Sequence, residues 1–135
     1  MINNIFVNFH VKDLEKAKEF FTQLGFKINP QFTNEEAACV ILGPNMYAML
    51  LIEKLFIDFT KRPVSEAPKI AEVITSLFLE NRADVDVLAD KALRAGALNY
   101  TDSLDLGYMY SRSFQDLDGH LWEVGWMDPN HVEPF

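Results

Sequence analysis

One order of periodicities occurs twice along this chain, and that repetition constrains the fold more than any other feature. Ile5, Val7, Phe9 and Val11 alternate with Phe6, Asn8 and His10, the period-two signature of a strand with one face on a core. Asp13 can cap a helix, because its carboxylate accepts from the N–H groups of a first helical turn. Leu14, Ala17, Phe20, Phe21 and Leu24 then recur at helical spacing up to Gly25, a residue suited to a left-handed C-cap. The spacing predicts a helix from Leu14 to Leu24, followed by strands over Phe26 to Phe32, Ala37 to Leu42 and Met46 to Glu53. Asn34-Glu35 and Gly43-Pro44-Asn45 supply the turns. Lys54 to Ile70 carries Pro63 and Pro68 and reads as a linker, with one or two helical turns at Leu55-Phe56-Ile57. Past it the order restarts. Val73, Thr75, Leu77 and Leu79 alternate, a helix carrying Val85, Leu88, Ala89, Ala92 and Leu93 ends at Ala95-Gly96, and strands come near Leu98 to Thr101, Tyr108 to Gln115 and His120 to Trp126.

The halves superimpose by number. Val7 falls on Thr75 and Val11 on Leu79 at an offset of 68; Leu14 falls on Val85, Ala17 on Leu88 and Gly25 on Gly96 at 71; Glu53 falls on Glu123 at 70. The difference of three is assigned to the second strand-to-helix loop. A duplicated βαβββ unit explains the agreement of period, caps and order. The expected fold is α+β, two tandem modules forming a cupped mixed sheet with helices outside and the inner faces lining a cleft. Residues 1–53 and 71–127 are the modules of a single 1–135 domain, 54–70 the linker and 128–135 a tail that opens with the turn residues Asp128-Pro129-Asn130.

Composition narrows the function classes. Twelve Lys and Arg against twenty Asp and Glu give a net charge of -8, the wrong sign for tracking phosphate backbones, so nucleic acid is not expected as a partner. No stretch of about eighteen apolar residues is present, which argues against a membrane span. The Met1-Ile2-Asn3-Asn4 start lacks the pattern of a secretory signal. The single Cys39 can form no internal disulfide, so a reducing, cytoplasmic location is expected.

Parity then picks out candidate site residues. Glu53 and Glu123 face the cleft, with Ile52 and Trp122 turned to the helix side. Paired carboxylates there can couple so that one works as acid or base, or both can ligate a cation; two solvated strand-end glutamates are the alternative. Asn8 and His10 share the face of Phe6. Tyr47, Met49 and Leu51 share that of Glu53 and supply adaptable apolar lining or core. Tyr108, Tyr110 and Arg112 alternate with small polar residues, and a buried guanidinium without a partner is costly. That cost favours Arg112 in the cleft, clamping an anionic group of the ligand. Asp116-Leu117-Asp118-Gly119 reads as a turn, since the twelfth position counted from Asp116 is Met127, where a calcium loop needs Glu.

Val11-Lys12-Asp13-Leu14, Phe20-Phe21-Thr22-Gln23-Leu24-Gly25-Phe26 and Asp116-Leu117-Asp118-Gly119-His120-Leu121-Trp122-Glu123, on a paired βαβββ frame, resemble the vicinal oxygen chelate superfamily of glyoxalase I, fosfomycin and bleomycin resistance proteins and extradiol dioxygenases. Within it, the chain looks most like the bacterial branch labelled "predicted lactoylglutathione lyase". The resemblance implies a homodimer, a small-molecule ligand and, in metal-dependent members, four ligands on the first and last strands of each module. Those positions fall on Phe6, Glu53, Ile74 and Glu123, of which only the two glutamates can donate to Ni, Zn, Mn, Mg or Fe. This leaves two readings of function. One is a cleft protein that binds or sequesters a small, partly apolar, anionic ligand. The other is a metal-dependent lyase, isomerase or dioxygenase using Glu53 and Glu123, with Glu123 catalytic.

Overall fold

The protein is described by a computed structural model over residues 1–131; the end of the expected tail lies outside the described residues. The chain divides into two compact units, the first spanning Met1–Glu66 and the second starting at Ala67.

The first unit runs β1 (Ile5–Val11), α1 (Leu14–Gln23), β2 (Lys27–Asn29), a single 3₁₀ turn (Pro30–Phe32), β3 (Ala37–Gly43), β4 (Met46–Ile52) and α2 (Glu53–Thr60). Its sheet has the order β1-β4-β3-β2, with β1 parallel to β4 and the other neighbours antiparallel. The Asp13 side chain accepts from the Lys16 amide at 3.1 Å, and Gly25 takes a φ of +102° past the C-cap Leu24, so α1 starts and stops where its sequence signals stand. Leu14, Ala17, Phe20 and Phe21 of α1 are buried, as are Phe9, Val11, Ala38, Val40, Ala48 and Leu50 of the sheet. Burying each such large apolar side chain contributes roughly 1.5–3 kcal/mol.

Two boundaries differ from the sequence reading. The strand expected over Phe26 to Phe32 stops at Asn29, because Pro30 has no N–H for a ladder and the Asn29 side chain instead accepts from the Gln31 amide at 3.0 Å. The strand expected to reach Glu53 ends at Ile52, and Glu53 opens α2, a helix that runs into the expected linker as far as Thr60.

The second unit runs β5 (Ile74–Phe78), α3 (Arg82–Arg94), β6 (Leu104–Asp105), β7 (Met109–Gln115) and β8 (Leu121–Met127), in the sheet order β5-β8-β7-β6. Val85, Leu88, Ala89 and Ala92 of α3 bury with Phe114, Trp122 and Val124. The strand expected over Leu98 to Thr101 is reduced to an isolated bridge from Leu98 to Gln115, and pairing resumes only at β6. The N-caps Asp13 and Asn81 stand 68 positions apart, the same offset as the strands. The three extra residues of the second repeat therefore lie inside α3, which has 13 residues against 10 in α1, and not in the loop before it.

The turn between β7 and β8 is built on Asp116. Its Oδ1 accepts from the amides of Asp118 at 2.9 Å and His120 at 3.0 Å, and its Oδ2 accepts from the indole Nε1 of the fully buried Trp122 at 2.9 Å. Burial pushes the Asp116 carboxyl above its ordinary value, with His120 and these donors pulling the other way. Gly119 is required twice over: its φ is +90°, and a Cβ there would stand 2.4 Å from the backbone nitrogen of Pro68. Among the described residues no helix is long and apolar enough to cross a membrane.

Asp116→Ala strips the partner from a buried indole N–H and two turn amides. It is expected to destabilise the protein by roughly 1–3 kcal/mol or more, read as a lower urea midpoint.

Candidate functional site

In a strand, neighbours face opposite sides, so the burial of Ala48 and Leu50 under α1 sends Tyr47, Met49 and Leu51 to the other face of the first sheet. Asn8 lies directly beside Met49 in the β1–β4 register. The 3₁₀ turn and α2 rise at the edges of this face. Together they bound a hollow of about 580 Å³ whose floor is Met49, Leu51 and Ala37 and whose apolar walls are Leu55 and Phe59 from α2 and Phe32 from the turn. Asn8, Gln31, Thr33, Asn34 and Glu36 complete the lining. Its size is within the range of small-molecule sites, and its lining mixes apolar and polar side chains. Phe59 and Phe32 are 67% and 51% exposed.

Of the residues singled out from sequence, Asn8, Met49 and Leu51 line this hollow. Tyr47 instead stacks on Phe6, ring centroids 4.6 Å apart. His10 is only 6% exposed; its Nε2 lies 3.3 Å from the Ser65 hydroxyl, and its ring takes an edge contact from Phe56 of α2 at 5.2 Å. It fastens α2 and the segment after it to the sheet. Gln31, Phe32, Thr33, Asn34, Glu36, Leu55 and Phe59 were not anticipated. The available signals were the strand-breaking Asn29-Pro30 pair and the helical spacing of Leu55 and Phe59.

The two glutamates do not occupy matching places. Asn8 is in register with Met49, and Ser76, its counterpart at the offset of 68, is in register with Glu123. The structural counterpart of Glu123 is therefore Met49, and Glu53 sits in the first turn of α2, where a negative charge favours the helix dipole. On β8, the buried Trp122 and Val124 face α3, so Glu123 points to the opposite face, flanked across the sheet by Ser76 and Ser113. A divalent metal of the kind the resemblance implies does not fit these residues. The first-strand positions are a phenyl ring already stacked on Tyr47 and the sec-butyl group of Ile74, Glu53 has left the strand, and hydroxyls are the groups beside Glu123. Among the described residues no group of three or more His, Cys, Asp or Glu is placed to hold a metal ion.

Tyr110 and Arg112 also stand elsewhere than expected. They are in register with Trp126 and Val124, on the face covered by α3. The Arg112 guanidinium donates to Asp86 at 3.0 Å and Asp90 at 2.8 Å, both on α3, and the Tyr110 hydroxyl donates to Asp86 at 2.6 Å. Arg82 lies over the Tyr110 ring at 4.3 Å and pairs with Asp105. The cost of placing a guanidinium on the helix side is offset by partners on the helix itself. Arg112 is thus already neutralised, and the charge clamp expected of it is not formed. Tyr108, just before β7, stacks on His131 with ring centroids 3.9 Å apart.

The Tyr110 hydroxyl, ahead of Arg112, holds the Asp86 carboxyl below its ordinary value of 3.8. A carboxylate depressed by folding lends stability above the unfolded value and loses it as pH falls through the folded one. Titration of the Asp86 carboxyl by NMR is expected to give a pKa below 3.8, moving upward in Tyr110→Phe.

Residues 4–43 match the family of bleomycin resistance protein-like N-terminal domains. No curated protein matches the sequence. Among solved structures, a hypothetical protein from S. aureus is 29% identical, with a TM-score of 0.79 over 93% of this chain and 94% of that one. A glyoxalase/bleomycin resistance protein/dioxygenase family enzyme from Burkholderia phytofirmans is 15% identical, with a TM-score of 0.75 over 90% of this chain and 96% of that one. The fosfomycin resistance protein FosX from Mesorhizobium loti is 14% identical, with a TM-score of 0.70 over 97% and 98%. The chain shares their α+β fold.

Proposed function

We propose that this chain is a member of the vicinal oxygen chelate superfamily that binds or sequesters a small, partly apolar molecule in the hollow of the first unit. The observation that carries this reading is the apolar floor of Met49 and Leu51, walled by exposed phenyl rings and edged by side-chain amides. The fold alone supports binding and catalysis equally, because function on a shared scaffold resides in the site. A homodimer and a cytoplasmic location belong to the same proposal, on the strength of the resemblance and the single buried thiol.

A second reading concerns Glu123. With Ser76 and Ser113 on either side of it, the carboxylate stands beside two hydroxyls, and metal-free catalysis as lyase or isomerase would rest on it as acid or base. No step is routed through a metal, for want of donors at Phe6 and Ile74. Phe6 is stacked on Tyr47.

One measurement tests the hollow and a second tests the metal-dependent alternative. Aryl-alkyl fragments titrated into protein carrying labelled methionine methyls are expected to shift Met49 saturably, and to bind about tenfold more weakly in Phe59→Ser, whose exposed ring is not needed for packing; silence at Met49 with every fragment would overturn the hollow as the site. Calorimetric titration of chelator-treated protein with Ni²⁺, Zn²⁺, Mn²⁺, Mg²⁺ and Fe²⁺ is expected to show no saturable micromolar binding. Stoichiometric binding that disappears in both Glu53→Gln and Glu123→Gln would restore the metalloenzyme reading.

A further inference from the structure

We propose that the open face of the second sheet is a site for a small arylalkyl ammonium ion, its ring laid against Phe78 and its charge on Glu123. The patch lies wholly within the second unit and is independent of the hollow. It asks of Glu123 only a charge, not proton transfer.

Strand parity decides which side chains share this face. Trp122 and Val124 are committed to α3, so Glu123 and Gly125 turn the other way, and the register brings Ser76 and Phe78 of β5 and Ser113 of β7 to the same side. Of all the residues that parity turns to this side in the four strands, Glu123 is the one that ionises. It is half-buried, and neither its carboxylate nor the hydroxyls of Ser76 and Ser113 has a hydrogen-bond or ion-pair partner among the described residues. Among those residues no buried side-chain nitrogen or oxygen lacks a partner, so the unpartnered oxygens of Glu123 are open to solvent. A charge drawn partly out of water with no counter-charge on its own face favours a cation from outside.

Phe78 supplies the second contact. A Cβ on Gly125 would stand 2.9 Å from ring carbons Cε2 and Cζ of Phe78, so the far end of the ring lies over Gly125. The ring is 43% exposed, which leaves surface for an aromatic ligand to cover. Gly125 stands two residues beyond Glu123, about 7 Å along the strand. An ammonium two carbons from a phenyl ring spans that separation, with its charge at the carboxylate and its ring at Phe78. An anion of the same shape meets Glu123 with no cation on the face to offset the repulsion. A neutral alcohol keeps the ring contact and forgoes the ion pair.

Three probes of similar size test the site: 2-phenylethylammonium, 2-phenylethanol and 3-phenylpropionate, each titrated while the backbone amides of Glu123 and Gly125 and the Met49 methyl are followed by NMR. The ammonium is expected to shift both amides saturably and to bind about fivefold more tightly than the alcohol or the anion, an advantage that shrinks at about 1 M salt. Glu123→Gln keeps the shape and removes the charge, and is expected to bring the ammonium level with the alcohol. Phe78→Leu is expected to weaken ammonium and alcohol alike by about fivefold. Retention of the fold in both variants is read from the amide shifts of α3. Equal binding of the three probes, preference for the alcohol or the anion, or an ammonium affinity unchanged in Glu123→Gln overturns the proposal. So does the absence of any shift at Glu123 and Gly125. Ammonium shifts confined to Met49 overturn it too, while supporting the hollow of the first unit.

Discussion

Each four-stranded sheet here has two faces and one long helix, and that shortage governs the rest of the structure. α1 claims the face of Phe9, Val40, Ala48 and Leu50; α3 claims that of Phe114, Trp122 and Val124. Because side chains alternate strictly along a strand, once Ala48 or Trp122 is committed to the helix its neighbours are committed to the other side. The first unit fills part of its open face with α2, folded back over the end of β4, and the space left between α2 and the turn at Pro30 is the hollow.

The amino-acid sequence displays the elements with strong periodicity and hides those that depend on a partner. β1, α1, β3 and α3 are legible because caps and apolar spacing agree at Asp13, Gly25 and Gly96. Aligning the repeat by helix and strand ends misplaces Glu53, whereas strand register fixes the pairing: Asn8 with Met49, Ser76 with Glu123. The cost of burying a guanidinium sends Arg112 to the wrong face for want of one fact. A guanidinium under a helix is costly only if the helix carries no carboxylates, and Asp86 and Asp90 stand one turn apart on α3, a pair that can be read from the sequence once the helix is drawn.

The same corrections move the chemistry. A site expected around two carboxylates and an arginine becomes, in the first unit, one of phenyl rings, a thioether and carboxamides, while two arginines of the second unit are held by its own carboxylates: Arg82 by Asp105, Arg112 by Asp86 and Asp90. With a net charge of -8 on the chain and Glu36 as the one ionisable side chain of its lining, the hollow has no long-range attraction for an anion.

Cys39 gives the first unit a clock of its own. It is the only thiol in the chain and wholly buried in β3, its backbone amide tied to Thr33, and burial pushes the thiol up from its ordinary value. At neutral pH it is therefore protonated and out of reach, inert to alkylation while the unit stays closed. Unfolding confined to the second unit leaves it silent; opening of β3 away from its neighbours exposes it at once. The rate at which an alkylating reagent consumes this one sulfur thus measures the opening of half the molecule, with no label added and no second cysteine to confuse the count.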